Sequence, residues 1–152
     1  MKKTGFTIVE MLITLSILAI LLAITAPSFN NLMSSSKMVS NANGMIGAFK
    51  YARMEAIKRG GIVQVGQAGT DWTGGIEVWV DNGGAKEVVR FWPAFDSASS
   101  VSSTNASFSF NAMGEVNNQD TLTLCGNRTG EEGMKISILI SGAVTAKKVL
   151  CV

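Results

Sequence analysis

Phe6-Thr7-Ile8-Val9-Glu10-Met11-Leu12-Ile13-Thr14-Leu15-Ser16-Ile17-Leu18-Ala19-Ile20-Leu21-Leu22-Ala23-Ile24-Thr25-Ala26 decides how the rest of the chain is read. Only Thr7, Glu10, Thr14, Ser16 and Thr25 interrupt its apolar run, and no charged residue occurs from Met11 to Ser36. As a helix the stretch is roughly 32 Å long, enough to cross a ~30 Å hydrocarbon core. Lys2 and Lys3 precede it, so the positive-inside rule puts the N-terminus in the cytoplasm and everything after Pro27 outside the inner membrane. A cleaved secretory signal is the alternative, with Ala23-Ile24-Thr25 as a small-x-small site. The run is longer than an ordinary signal core, and Pro27 sits awkwardly behind that site. Glu10 is the anomaly. A carboxylate costs about 2.5–3.5 kcal/mol at mid-bilayer depth, less near the interface, and an intramembrane charge usually has a partner and a function.

The remaining composition narrows the function. The chain has 152 residues, enough for one domain, with 47% hydrophobic and 16% charged residues. It has no histidine, which removes the commonest general base and metal ligand, and two cysteines cannot build a Cys-plus-His zinc site. No phosphate loop is present, since Gly66-Gln67-Ala68-Gly69 is a loop signal only. Asp71, Asp81 and Asp96 are scattered at turns, and Trp72, Trp79 and Trp92 read as core and turn residues. Enzyme chemistry, a cofactor and a metal are therefore not expected.

Gly5-Phe6-Thr7-Ile8-Val9-Glu10, after Met1-Lys2-Lys3-Thr4, resembles the class III signal of type IV prepilins and type II secretion pseudopilins. The resemblance implies cleavage between Gly5 and Phe6 by a membrane prepilin peptidase, N-methylation of Phe6, and a role for Glu10 in assembly. Pro27 falls where many members of that family carry a helix-kinking proline. Cleavage would leave an ammonium on Phe6 that a Glu10 carboxylate, from the same or a neighbouring subunit, can neutralise. It would also remove Lys2 and Lys3, leaving as many basic as acidic side chains.

Three further segments resemble the GspH/FimT group of minor pilins. They are Arg53-Met54-Glu55-Ala56-Ile57-Lys58-Arg59-Gly60, Asp71-Trp72-Thr73-Gly74-Gly75-Ile76-Glu77-Val78-Trp79-Val80-Asp81, and Phe108-Ser109-Phe110-Asn111-Ala112-Met113-Gly114. The implied layout is a leader at 1–5, a transmembrane and filament-core helix at 6–27, and a periplasmic pilin-like domain at 28–152. The implied fold class is α+β, a long N-terminal helix packed on antiparallel sheet.

Periodicity agrees with that layout. Phe29, Leu32, Met33, Val39, Ala42, Ile46, Phe49, Ala56 and Ile57 fall mostly three or four apart, predicting one apolar helical stripe. Pro27 predicts a kink, and Gly60-Gly61 predicts the helix end. Phe6 to Arg59 is roughly 80 Å of helix, more than the remaining chain can bury, so its first half must meet lipid or other subunits. Strands are predicted at Ile62–Val65, Ile76–Val80, Glu87–Phe91, Phe108–Phe110, Thr121–Cys125, Lys135–Ile140 and Thr145–Cys151. Asp81-Asn82-Gly83-Gly84 signals a hairpin, and Asp96 to Ser107 a loop. The glycosylation sequons at Asn105 and Asn127 are taken as chance in a prepilin-bearing bacterium.

Cys125 and Cys151 sit at the ends of two late strands. Outside the cytoplasm a disulfide between them is allowed. It would close a loop of about 27 residues, worth roughly 3–4 kcal/mol in the chain-entropy model; free buried thiols are the alternative.

Three functions follow from the resemblance. The first is a minor type IV pilin that helps start or extend a pilus, with other pilins and the inner-membrane assembly platform as partners. The second is a minor pseudopilin of a type II secretion system. The third is a DNA-binding pilin for DNA uptake. Competence members of the group use a C-terminal Gly-Arg-x-Arg turn, and the matching turn here, Gly142-Ala143-Val144-Thr145, has neither arginine. Arg128, Lys135, Lys147 and Lys148 are the remaining basic candidates, since lysines can neutralise phosphates without reading bases. Adjacent strand residues point to opposite faces, so Lys147 and Lys148 should not form one patch, and Glu131 and Glu132 oppose DNA. DNA binding is therefore not favoured, and the resemblance to the FimT side, with its paired cysteines, favours the pilus over secretion.

Overall fold

The structure is a computed structural model. It describes residues 5–95, 99–126 and 130–151, with the backbone alone at 25–28 and 30–31. Among the described residues a single helix, α1 (Ile8–Arg59), precedes eight strands: β1 (Val63–Gln67), β2 (Ile76–Asn82), β3 (Ala85–Trp92), β4 (Ser99–Ser102), β5 (Ser107–Phe110), β6 (Asp120–Gly126), β7 (Glu132–Ile138) and β8 (Val144–Leu150). A short 3-10 turn spans Trp72–Gly74. The chain forms two compact units, Met1–Ser35 and Ser36–Val152. The fold is α+β with two antiparallel sheets, ordered β3-β2-β1-β5 and β4-β6-β7-β8.

α1 ends where the two glycines predict. Gly60 has φ 64°, its N–H donates to the Ile57 carbonyl at 3.3 Å, and the Gly61 N–H donates to Ala56 at 3.2 Å. That pair of bonds is the Schellman stop, which needs a residue free to take positive φ. The hairpin between β2 and β3 turns at Gly83 (φ 66°) and Gly84 (φ 90°), and Asp81 Oδ1 accepts from the Gly84 N–H at 2.7 Å. Two successive positive φ values match the twist of the flanking strands.

Within the Ser36–Val152 unit, the buried face of α1 is Met38, Ala42, Met45, Ala48, Phe49, Ala52 and Ala56. This corrects the predicted stripe. Ala42, Phe49 and Ala56 belong to it, and Ile46 packs half-buried against it. Val39 and Ile57 are exposed, as are Phe29, Leu32 and Met33 in the other unit. Small alanines hold the buried positions because the helix backbone then lies close to the sheets, so the largest side chains do not mark the core. Opposite them lie Val63, Val65, Ile76, Val78, Phe108 and Phe110 from the first sheet and Leu122, Leu124, Ile136 and Ile138 from the second. Phe49, Trp72 and Phe108 pack with ring centroids 5.4–6.0 Å apart. That spacing adds roughly 0.5–1.5 kcal/mol per pair beyond area burial.

The seven predicted strands all exist, with ends moved by at most three residues. The predicted loop at 96–107 is the second correction: Ser99–Ser102 forms β4, paired with β6 through Val101↔Leu124. A serine-rich segment reads as loop, yet Val101 packs on the core and its ladder supplies the backbone partners that propensity alone does not. Asp96 lies outside the described residues.

Candidate functional site: the helix start and the second sheet

The N-terminus of α1 carries a reciprocal cap. Thr7 is the N-cap, and its Oγ1 accepts from the Glu10 N–H at 3.2 Å. Glu10 Oε2 accepts from the Thr7 N–H at 3.2 Å and from Thr7 Oγ1 at 3.1 Å. Thr7-Ile8-Val9-Glu10 is thus a capping box, which satisfies two otherwise orphaned donors and sets an acidic group on the positive end of the helix. From Phe6 to Ile24 the large apolar side chains are 52–81% exposed. Among the described residues no helix is long and apolar enough to cross a membrane. The described side chains of this run end at Ile24, and the sequence carries it on to Ala26. α1 continues through Pro27 in its backbone.

A second constellation joins distant motifs. Arg53 Nε donates to the Gly114 carbonyl at 3.0 Å. A Cβ added at Gly114 (φ +76°) would meet Ile57 Cδ1 at 2.8 Å and Arg53 Nε at 2.9 Å, and one at Gly142 (φ +73°) would meet the Gly114 carbonyl oxygen at 1.9 Å. Arg53 therefore lies in a slot formed by two glycines from different loops. Nearby on α1, Glu55 is buried at 8% exposure and pairs with Arg59 at 2.6 Å. The Arg59 hydrogen bond lowers the Glu55 pKa against the opposing effect of burial, with Lys58 adding to the lowering. Asp71 caps the 3-10 turn by accepting from the Thr73 and Gly74 N–H groups at 2.8 and 3.0 Å. Trp72 Nε1 donates to the Asn105 carbonyl at 3.0 Å, which lets the indole be buried without an unpaired donor.

The third constellation lies on the second sheet. Cys125 and Cys151 form a disulfide with Cα atoms 5.8 Å apart. It crosses over Gly133, where an added Cβ would sit 2.4 Å from Cys151 Sγ and 3.1 Å from Cys125 Sγ. Lys147 and Lys148 do point to opposite faces. Lys148 pairs with Glu132 at 2.7 Å on the exposed edge strand β8. Lys147 stands directly opposite Lys135 on β7. Arg128 lies outside the described residues. Asp120, at the start of β6, accepts at Oδ2 from Ser103 (2.9 Å), Thr104 (3.0 Å) and Asn105 (2.9 Å), and at Oδ1 from the Thr121 N–H. Burial raises its pKa, but these hydrogen bonds, led by Asn105, together bring it down to about 2.

The family profile of the type II transport protein GspH matches residues 41–143, well over half of the chain. The chain belongs to the GspH family. The prokaryotic N-terminal methylation motif matches residues 1–26. The fold is that of the type IV minor pilin FimU from Pseudomonas aeruginosa PAO1. One FimU crystal form superposes with TM-score 0.68 at 20% identity, covering 76% of this chain and 92% of that one. A second gives 0.63 at 21% identity, covering 71% and 90%. No curated protein sequence matches the chain significantly.

Family and fold are those of pilin-like subunits, a minor type IV pilin or a GspH-like pseudopilin anchored in a membrane. The motif segments prove to be joints of the fold: Arg53 meets Gly114 in the loop after β5, Asp71 caps the 3-10 turn, and Trp72 pins that turn to Asn105. Sequence reasoning missed the Thr7 cap, although Thr-x-x-Glu is a local signature that could have found it. It also missed the Lys135–Lys147 pair, for which strand register was needed.

Proposed function

We propose that this GspH-family chain is a minor type IV pilin, a structural subunit that helps to start or extend a pilus. In this reading a prepilin peptidase cuts between Gly5 and Phe6, Phe6 is methylated, and the helix start stays in the inner membrane with the N-terminus cytoplasmic and residues 28–152 periplasmic. The assembly platform then passes the subunit to other pilins. The observation that carries the reading is the apolar run from Phe6 to Ile24, exposed throughout and bearing the methylation motif. Side chains of that kind need a bilayer or neighbouring helices to cover them.

Glu10 has two tasks in this reading. It caps its own helix, and Oε2 already lies 3.2 Å from the Thr7 N–H, one residue from the ammonium that cleavage would create. In this reading Pro27 kinks the helix by its missing N–H and ring clash. A secretion pseudopilin is the second reading, which the GspH profile supports; the FimT-like motif segments and the paired cysteines incline the first towards a pilus.

Gene deletion tests the choice. Loss of sheared surface pili with exoprotein secretion intact is the expected outcome; the reverse pattern would make the chain a pseudopilin. Intact-mass and N-terminal analysis of membrane-extracted protein should show a methylated Phe6, and a mature N-terminus near Ala26 would overturn the prepilin reading itself.

A further inference from the structure

Beside the disulfide and Val149, the outward face of the second sheet presents a block of hydroxyls and amines. Leu122, Leu124, Ile136 and Ile138 turn inward, so their strand neighbours turn outward. The register places Ser102, Thr123, Lys135 and Lys147 in one row across all four strands, and Thr121, Ser137 and Thr145 in the next. Two like charges stand directly opposite each other on neighbouring strands, an arrangement that destabilises a sheet. Among the described residues neither lysine has an ion pair. The nearby acids serve elsewhere. Glu132 pairs with Lys148 on the other face. Glu131 Oε2 would lie 2.6 Å from a Cβ at Gly126, on the side that also meets Met38. A hollow of about 320 Å³, lined by Gln119, Asp120, Thr121, Ser137, Ile138 and Leu139, opens at the end of β6 and β7 beside the hydroxyl row. The Asp120 carboxylate there already accepts four hydrogen bonds.

We propose that this face binds an acidic polysaccharide, with Lys135 and Lys147 holding the carboxylates of successive sugars and the Ser and Thr hydroxyls bonding to sugar hydroxyls. Cross-strand side chains lie about 4.5–5.5 Å apart, comparable with one pyranose unit. Hydroxyl groups donate and accept, as sugar hydroxyls require. Duplex DNA fits less well: two lysines neutralise few phosphates, and the two rows offer no aromatic ring for stacking bases.

The test is native electrophoresis of the mature full chain in non-ionic detergent, through gels containing polygalacturonate, neutral dextran or duplex DNA. Polygalacturonate should retard the protein and dextran should not, and added salt should weaken the retardation. Lys135→Gln with Lys147→Gln should reduce affinity about tenfold, the scale of removing two exposed ion pairs at once. Lys148→Gln, on the opposite face, should stay within about twofold of the parent. The double variant should keep or raise the urea midpoint, because a repulsion is relieved. No retardation by polygalacturonate, equal retardation of the double variant, tighter binding to DNA than to polygalacturonate, or a lowered urea midpoint would each overturn the assignment.

Discussion

Replacing Gly133 by alanine tests whether the disulfide and the middle strand of the second sheet are built around each other. Gly133 lies on β7, between β6 and β8. An alanine Cβ would fall 2.4 Å from Cys151 Sγ, 2.5 Å from the Leu124 carbonyl oxygen and 3.1 Å from Cys125 Sγ. None of these atoms is the free end of a flexible side chain: two belong to one covalent bridge and the third to the β6 backbone. Overpacking against fixed neighbours costs about 1–3 kcal/mol. Removing the bridge by Cys125→Ser with Cys151→Ser should cost about 3–4 kcal/mol, from a loop with sequence separation 26. The two costs should not add. Without the bridge, both sulfur clashes vanish and only Leu124 opposes the new methyl, so the triple variant should be more stable than the sum predicts by at least about 0.5 kcal/mol. Urea unfolding of the mature chain in non-ionic micelles measures this by tryptophan fluorescence, since Trp72, Trp79 and Trp92 all belong to the Ser36–Val152 unit. A Gly133→Ala protein with its disulfide formed and a parental urea midpoint would refute the reasoning, as would strict additivity.

Other consequences are simpler to state. Asp120 has a folded-state pKa of about 2, below its ordinary 3.8, so the stability it contributes is full above about pH 4 and is lost as pH falls towards 2. Asp120→Asn should therefore lower the urea midpoint at pH 6 and differ little from the parent at pH 2; an equal deficit at both would disprove the linkage. Gly142→Ala should destabilise by more than about 1 kcal/mol, because it combines φ +73° with a Cβ 1.9 Å from the Gly114 carbonyl oxygen; thermal unfolding reads the loss. Glu10→Gln keeps an acceptor for the Thr7 cap but removes the charge, whereas Glu10→Ala removes both. Both should be cleaved and both should be depleted from sheared pili, and normal incorporation of the Gln variant would show that capping, not charge, is what assembly needs.

Much of the fold was readable because its signals are local. Gly60-Gly61 ends α1, Asp81-Asn82-Gly83-Gly84 turns a hairpin, and seven apolar runs become strands, each determined by a few adjacent residues. The failures share a cause. β4 is a strand because β6 lies beside it, and Ser99–Ser102 says little of that by itself. The buried stripe of α1 was misplaced because hydrophobicity ranks Val39 and Ile57 above Ala48 and Ala52, while close approach to the sheets favours alanine.

The candidate sites divide along the same line. Gly5, Phe6 and Glu10 form a motif within six residues, so they can be picked out without knowing any tertiary contact, and the Thr7 cap between them follows from the same few positions. The lysines could be read only halfway. Alternation correctly separates Lys147 from Lys148, but it cannot say that Lys135, twelve residues earlier, faces Lys147 across a ladder. A slip of one residue in the β7–β8 register would set Lys148 opposite Lys135 and turn Lys147 towards Ile136 on the inward side. The observed register instead places Ile136 and Ile138 in the core, so burial of those two isoleucines is what turns both cations to the same outward face. The charge pattern of that face is thus a by-product of core packing only if nothing binds there. The unrelieved repulsion between Lys135 and Lys147, in a chain that spends its nearby glutamates elsewhere, argues that something does.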